Sequence, residues 1–226
     1  MPIPSHRAAN SAMKVFALPP VVKAFLFDID GTLYTSPEYV KEQVDVQLRH
    51  LARVRGITAD EVRDMVAAYR AKWSAEHGGA KISLGNALVA FGVSIQESVA
   101  WRNELLHPED YLAPDDELTA ALAKLSSSYK LVCVTNNPVK AARRTLRAVG
   151  IEGYFCAVVG LDTCFKSKPS EQLLTIACQK AACLPGECVA VGDRYDIDLA
   201  LPLKLGMGAV LVSGAEDVVA LCQLFV

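Results

Sequence analysis

Phe27-Asp28-Ile29-Asp30-Gly31-Thr32-Leu33 sets two carboxylates one residue apart at the end of an apolar run. If that run is a strand, alternation points both side chains the same way. Two anions held together at a buried edge repel each other and are costly without a cation. A bound Mg²⁺ with oxygen ligands resolves the conflict, and a carboxylate beside it can act as nucleophile, acid or base. Gly31 and Thr32 then turn the chain. An N-capping aspartate with a chance neighbour is the bland alternative, but a D-x-D-G-T string arises by chance in roughly one in a thousand chains of this length.

Three further stretches hold groups of the right type. Val134-Thr135-Asn136-Asn137-Pro138 ends an apolar run before a helical pattern, where a hydroxyl and nearby backbone N–H groups can hold a phosphate oxygen. An ordinary helix cap has the same residues. Lys166-Ser167-Lys168-Pro169 offers an ammonium to an anionic site, or is a solvated loop; the residues alone do not choose between the two lysines. Val191-Gly192-Asp193-Arg194-Tyr195-Asp196-Ile197-Asp198 leaves another apolar run with three carboxylates. There Asp193 stands at a strand tip as Asp28 does, while Asp196 equally fits an N-cap.

The elements that must position these groups follow from a change of rhythm along the chain. Lys23 opens the buried strand KAFLFDIDGT. From about Ser36 to Leu112 no comparable strand occurs and the pattern is helical. Ser36-Pro37 caps a first helix with apolar residues at Val40, Val44, Leu48, Leu51 and Val54, stopped by Gly56. Thr58 to Glu61 forms a capping box for a second helix, which runs to Gly78-Gly79. Shorter patterns follow at 83–91 and 95–106. After Pro114, helices near 115–127, 138–149, 170–182, 197–205 and 216–224 alternate with strands at 129–135, 156–160, 188–192 and 208–212. Such alternation predicts an α/β fold, a doubly wound parallel sheet core carrying an inserted all-helical domain. The expected boundaries are an N-terminal tail over 1–20, a core of 21–35 and 113–226, and a helical insertion over 36–112. All four chemical stretches then fall at carboxyl ends of strands and converge on one crevice.

In that order and on that scaffold, acid pair, hydroxyl, lysine and acid loop resemble the haloacid dehalogenase-like (HAD) superfamily of phosphohydrolases. The resemblance runs from Lys23 to about residue 213, and the helical insertion looks like that family's cap. It implies Asp28 as nucleophile and Asp30 as general acid and base. It implies Mg²⁺ on Asp28, Asp30 through its backbone carbonyl, and Asp193, with Asp198 in support. Thr135, Asn136 and Lys168 would bind the phosphoryl group, Lys168 being chosen by its place before Pro169. The superfamily's dehalogenases lack the second aspartate, so Asp30 implies phosphoryl chemistry. The implied activity is Mg²⁺-dependent hydrolysis of a small phosphomonoester (a nucleotide, a sugar phosphate or phosphoglycolate) through an aspartyl-phosphate. The opening F-x-F-D-I-D-G-T-L-Y and the stretch His107 to Leu112 look similar to pyrimidine 5′-nucleotidase-like members, with phosphoglycolate phosphatase-like enzymes also open. The alternatives are a phosphomutase using the same aspartate, or a non-catalytic phospho-ligand-binding protein. Substrate choice would lie in the cap, with Lys72, Trp73, His77, Lys81 and Arg102 as candidates by charge or stacking.

Bulk properties exclude several classes. A net charge of −2 argues against a nucleic-acid or anionic-membrane binder, and no run of 18 apolar residues suggests a membrane span. The first 20 residues lack a signal-peptide pattern, so the cytoplasm is the expected location. Seven cysteines, all after residue 132 and without metal-ligand spacing, are expected as buried reduced thiols.

Overall fold

The computed structural model describes residues 13–226, so residues 1–12 of the expected tail lie outside the described residues. Six strands form one sheet: β1 (Lys14–Ala17), β2 (Ala24–Phe27), β3 (Lys130–Val134), β4 (Ala157–Val159), β5 (Cys188–Gly192) and β6 (Gly208–Leu211). Their order is β1-β6-β5-β2-β3-β4. All neighbours are parallel except β1, which runs antiparallel to β6. The expectation of a tail through residue 20 is therefore corrected over Lys14–Ala17. That strand is mostly exposed, so it carries no buried stripe that would announce it, and its order comes from pairing Val15 with Val210.

Between β2 and β3 the chain is helical, with α1 (Pro37–Arg55), α2 (Ala59–Glu76), α3 (Leu84–Val89) and α4 (Ile95–Leu105). Local chemistry sets their starts. The side chain of Ser36 accepts from Tyr39 N–H at 3.2 Å, and Thr58–Glu61 and Ser94–Glu97 form reciprocal capping boxes. Leu48, Leu51, Val62, Val66, Leu88 and Val93 make a separate small core for these helices. Not every periodic position of α1 turns inward: Val40 and Val44 line a cavity, and Val54 is 65% exposed.

The remaining helices are α5 (Asp116–Ser128), α6 (Val139–Ala148), α7 (Glu171–Ala181), α8 (Ala200–Lys204) and α9 (Ala215–Gln223). They cover both faces of the sheet. Phe25, Phe27, Leu131 and Val189 pack with Leu118, Leu122, Leu146 and Leu221 on one face. Ala24, Leu26 and Val132 pack with Leu173, Ala177 and Cys178 on the other. Double coverage is why these strands read as continuous apolar runs. The expected helix at 197–205 is instead a π-helical turn over Tyr195–Leu199 running into α8, and Asp196 does not cap it. Four cysteines are buried as expected, but Cys156 is exposed and Cys164 and Cys183 are half-buried, because their positions fall at loops and helix ends instead of strand interiors. Among the described residues no helix is long and apolar enough to cross a membrane.

Register places the chemistry. β2 lies between β3 and β5, with Phe27 opposite Cys133 on one side and Val191 on the other. The chain runs from β2 outward to β3 and β4, then crosses back to β5 and β6. The sheet thus has its switch point between β2 and β5, and ligands of such sheets bind outside the carboxyl ends of strands at that point.

Candidate active site

Asp28 follows β2 directly, with its N–H donating to Val191 O at 2.8 Å and its side chain only 2% exposed. Lys168 comes in from the loop ahead of α7. Its Nζ donates to Asp28 Oδ1 at 2.6 Å, Asp198 Oδ1 at 2.7 Å and Val134 O at 2.9 Å. All three ammonium donors are therefore used, and Lys168 rather than Lys166 occupies the site. Burial works against the lysine's charge, but Asp28 and Asp198 outweigh it and hold its pKa above the usual value. Asp28 shifts upward too: burial is the main cause, with Asp198 and Asp30 adding to it and Lys168 opposing. The causes differ: burial dominates the shift of Asp28, whereas neighbouring carboxylates outweigh burial at Lys168.

Asp28, Asp193 and Asp198 bring ligand-type oxygens within 4.8 Å of one another. Their hydrogen bonds separate them by role. Both oxygens of Asp198 are engaged, because Oδ1 accepts from Lys168 and Oδ2 accepts from Arg194 N–H at 3.1 Å. Asp28 Oδ2 and Asp193 Oδ1 are buried and accept no hydrogen bond. Arg194 approaches both, with Nη2 at 3.7 Å from the first and Nε at 3.4 Å from the second. Two buried carboxylate oxygens that accept no hydrogen bond, at a strand-tip crevice, match a hard divalent cation. Gly31 permits this closeness: its φ is +76°, and a Cβ there would stand 2.6 Å from Asp193 Oδ2.

Asp30 does not join that cluster by its carboxylate. Its Oδ1 accepts from Tyr34 Oη–H and from Gln43 Nε2 at 2.8 Å, and its Oδ2 accepts from Asn137 Nδ2 at 2.8 Å. Within the expected metal set, Asp30 is thereby limited to its backbone carbonyl. Thr135 is buried at the end of β3, and its Oγ1 accepts from Asn137 N–H at 3.1 Å. Asn136 Oδ1 accepts from Lys168 N–H at 2.6 Å, tying the second stretch to the third. Asp30, Gln43, Arg102, Asn136, Asp193 and Arg194 open onto a cavity of about 430 Å³ between the sheet's carboxyl edge and α1, α3 and α4.

The profile of the haloacid dehalogenase-like hydrolases matches residues 22–202. The chain belongs to that family. It is 27% identical to human N-acylneuraminate-9-phosphatase over 47% of this chain and 43% of that protein. It is 29% identical to N-acetylmuramic acid 6-phosphate phosphatase of Pseudomonas aeruginosa over 76% of this chain and 74% of the other. The chain thus spans under half of the human relative and about three quarters of the bacterial one. Among solved structures, a HAD phosphatase from Thermococcus onnurineus is similar, with 26% identity and a TM-score of 0.54 over 83% of this chain and 85% of that one. The protein is an enzyme of the hydrolase class, and the human and Pseudomonas relatives are named as phosphatases.

In this HAD-like hydrolase the fold gathers Asp28, Asp30, Thr135, Asn136, Lys168, Asp193 and Asp198 at one strand-tip crevice. Of the five residues singled out in the helical segment, Arg102 alone lines the cavity. Lys72, His77 and Lys81 are exposed elsewhere. Trp73 stacks on His77 with ring centroids 3.9 Å apart, and His77 Nδ1 lies 2.7 Å from Trp73 O. These four sit on or after the far end of α2, which packs mainly against α1 rather than facing the sheet. Reasoning from residue type missed Gln43, Tyr34, Asn137 and Arg194. Tyr34, Asn137 and Arg194 stand within the quoted motifs, so their neighbours were the available signal; Gln43 had none.

Proposed function

We propose that this HAD-like hydrolase is a Mg²⁺-dependent phosphomonoesterase that acts on a small phosphorylated metabolite through phospho-Asp28, with the helical segment as its cap. One observation carries this reading: Lys168 joins Asp28 and Asp198, while Asp28 Oδ2 and Asp193 Oδ1 are left without a hydrogen bond. The names of the human and Pseudomonas relatives specify phosphates of small metabolites, which supports the substrate class. A cytoplasmic location goes with it, on the reduced-thiol argument given for the cysteines.

Asp28 and Asp193, with the Asp30 carbonyl, would hold Mg²⁺, and Asp198 would orient Lys168. When bound, the ion supplies positive charge against the repulsion between Asp28 and a phosphate dianion. The chain's own groups do the rest. A carboxylate oxygen of Asp28 bonds to phosphorus as the phosphorus–oxygen bond to the leaving alcohol breaks. Asp30, as general acid, gives a proton to that leaving oxygen. A water then bonds to phosphorus, its proton passes to the Asp30 carboxylate, and the phosphorus–oxygen bond to Asp28 breaks. Free phosphate and the original Asp28 result. The Thr135 hydroxyl holds a phosphoryl oxygen, and the Lys168 ammonium, its donors engaged by Asp28, Asp198 and Val134 O, supplies positive charge beside it, so little reorganisation is needed as charge shifts.

The test is phosphate release from a panel of phosphomonoesters by the wild type and Asp28→Asn, with and without Mg²⁺. The expected result is turnover by the wild type with Mg²⁺ alone. Equal release by both proteins, or release independent of the ion, overturns the mechanism.

A further inference from the structure

Arg102 on α4 is 9% exposed and lines the cavity alongside Asp30 and Gln43. Its donors are poorly served. Nη1 reaches Asn136 O at 3.1 Å and Asn137 Oδ1 at 3.4 Å, and the buried Nε has no hydrogen-bond partner. No carboxylate among the described residues forms an ion pair with it; Asp30 and Asp162 act on it only at longer range. An arginine in water satisfies its donors with solvent. A buried one needs an acceptor, and its Nε–Nη2 edge is a fork that matches a planar carboxylate.

We propose that Arg102 binds a carboxylate on the leaving group of the substrate, which makes the enzyme selective for short phosphorylated hydroxy acids. The proposal rests on the phosphomonoesterase reading and names the substrate class of that site. Three observations support it beyond the unserved donors. First, one side chain links Arg102 to Asp30, since Asn137 meets the guanidinium through Oδ1 and donates through Nδ2 to Asp30 Oδ2 at 2.8 Å. The oxygen protonated by Asp30 and the carboxylate held by Arg102 are then only a few bonds apart. Second, Val40, Val44, Leu84 and Ile95 supply aliphatic walls, suited to a short carbon body. Third, the cavity's other cationic side chain, Arg194, is committed to Asp28, Asp193 and Asp198, so one guanidinium is left for a monoanionic group and not enough charge for a second phosphoryl dianion.

Matched substrates test this. Phosphoglycolate is compared with 2-hydroxyethyl phosphate, 3-phosphoglycerate with glycerol 3-phosphate, and propane-1,3-diol bisphosphate serves as the dianionic arm. The wild type is expected to prefer each carboxylate by about tenfold or more in kcat/KM. In Arg102→Met that ratio is expected to fall to near one, and Arg102→Lys, which keeps the charge without the fork, to fall between. Glycolate and glycerate should compete with 2-hydroxyethyl phosphate for the wild type where ethylene glycol and glycerol do not, a comparison that needs no folded variant. Equal kcat/KM for carboxylate and neutral esters, a ratio unmoved by Arg102→Met, or preference for the bisphosphate overturns the proposal and leaves the phosphomonoesterase reading standing. Failure of the wild type to hydrolyse any ester in an Asp28-dependent way overturns both.

Discussion

Gln43 Nε2 donates to Asp30 Oδ1 at 2.8 Å, so a side chain from the first inserted helix holds the carboxylate beyond the central strand. The same amide accepts from Asn137 Nδ2 at 2.9 Å through its Oε1, and Gln47 Nε2 in turn donates to the Gln43 carbonyl at 2.8 Å. Asp30 is thus fixed by groups from three places in the chain: its own loop, the helical segment and the end of β3. Replacing Gln43 with leucine removes one donor to Asp30 and leaves Asn137 without its second acceptor. The expected outcome is a fall of about tenfold in kcat with a smaller change in KM, because the acid is misplaced while the phosphoryl site is intact. Steady-state kinetics on one phosphomonoester checks it, and an unchanged kcat would show that Gln43 serves packing alone.

Removing Lys168 leaves buried carboxylates with only the half-exposed Arg194, 3.7 Å from each, as counter-charge. Its side chain is 6% exposed, and those of Asp28 and Asp198 are 2% and 3%. Lys168→Met is expected to destabilise the fold by about 3–5 kcal/mol without added divalent cation. The double variant Lys168→Met, Asp28→Asn should lose less than the sum of the two changes, since the neutral amide no longer needs the ammonium. Urea unfolding of the four proteins in the cycle measures this; strict additivity would contradict the coupling.

Gly31 and Gly56 both have φ near +70°, but their surroundings differ. A Cβ at Gly31 meets Asp193, and at Gly56 it meets nothing within 4 Å. Alanine at either position is expected to cost about 1–3 kcal/mol in backbone strain. Only Gly31→Ala should also weaken Mg²⁺ binding, because it displaces the Asp193 carboxylate. Isothermal titration with Mg²⁺ separates the two, and equal affinities would remove Gly31 from the site.

Acid should loosen the helical segment before the sheet. Hydrogen bonds from Arg63 chiefly lower the pKa of Asp45, against the opposing effect of burial. Hydrogen bonds to the Thr58 and Ser94 caps do the same for Glu61 and Glu97. Each of these groups has a lower pKa folded than unfolded, so the unfolded chain binds more protons in acid. The stabilisation they bring is complete above the ordinary carboxylate range and is lost as pH falls through and below that range. Hydrogen exchange, corrected for intrinsic rates, should show amides of α1, α2 and α4 losing protection ahead of β2, β3 and β5. Uniform loss across the molecule would refute the assignment.

The sequence by itself determined the α/β class, the helical stretch after β2 and the stretches from Asp28 to Asp198 that the fold gathers at its strand tips. These are legible because their causes are local: continuous apolar runs mark strands covered on both faces, and Ser36, Thr58 and Ser94 cap the helices they precede. Chemistry at the strand ends follows from the parallel arrangement itself. Tertiary structure alone decided the rest. β1 exists through its pairing with β6 and carries no buried stripe. Gln43 and Asn137 reach Asp30 across 13 and 107 residues, a contact that no window of sequence contains. Lys72, Trp73, His77 and Lys81 have the right chemical types for a ligand, yet the packing of α2 carries them away from the cavity that Arg102 lines. A side chain's type is a property of the residue; which way a helix turns it depends on what that helix packs against.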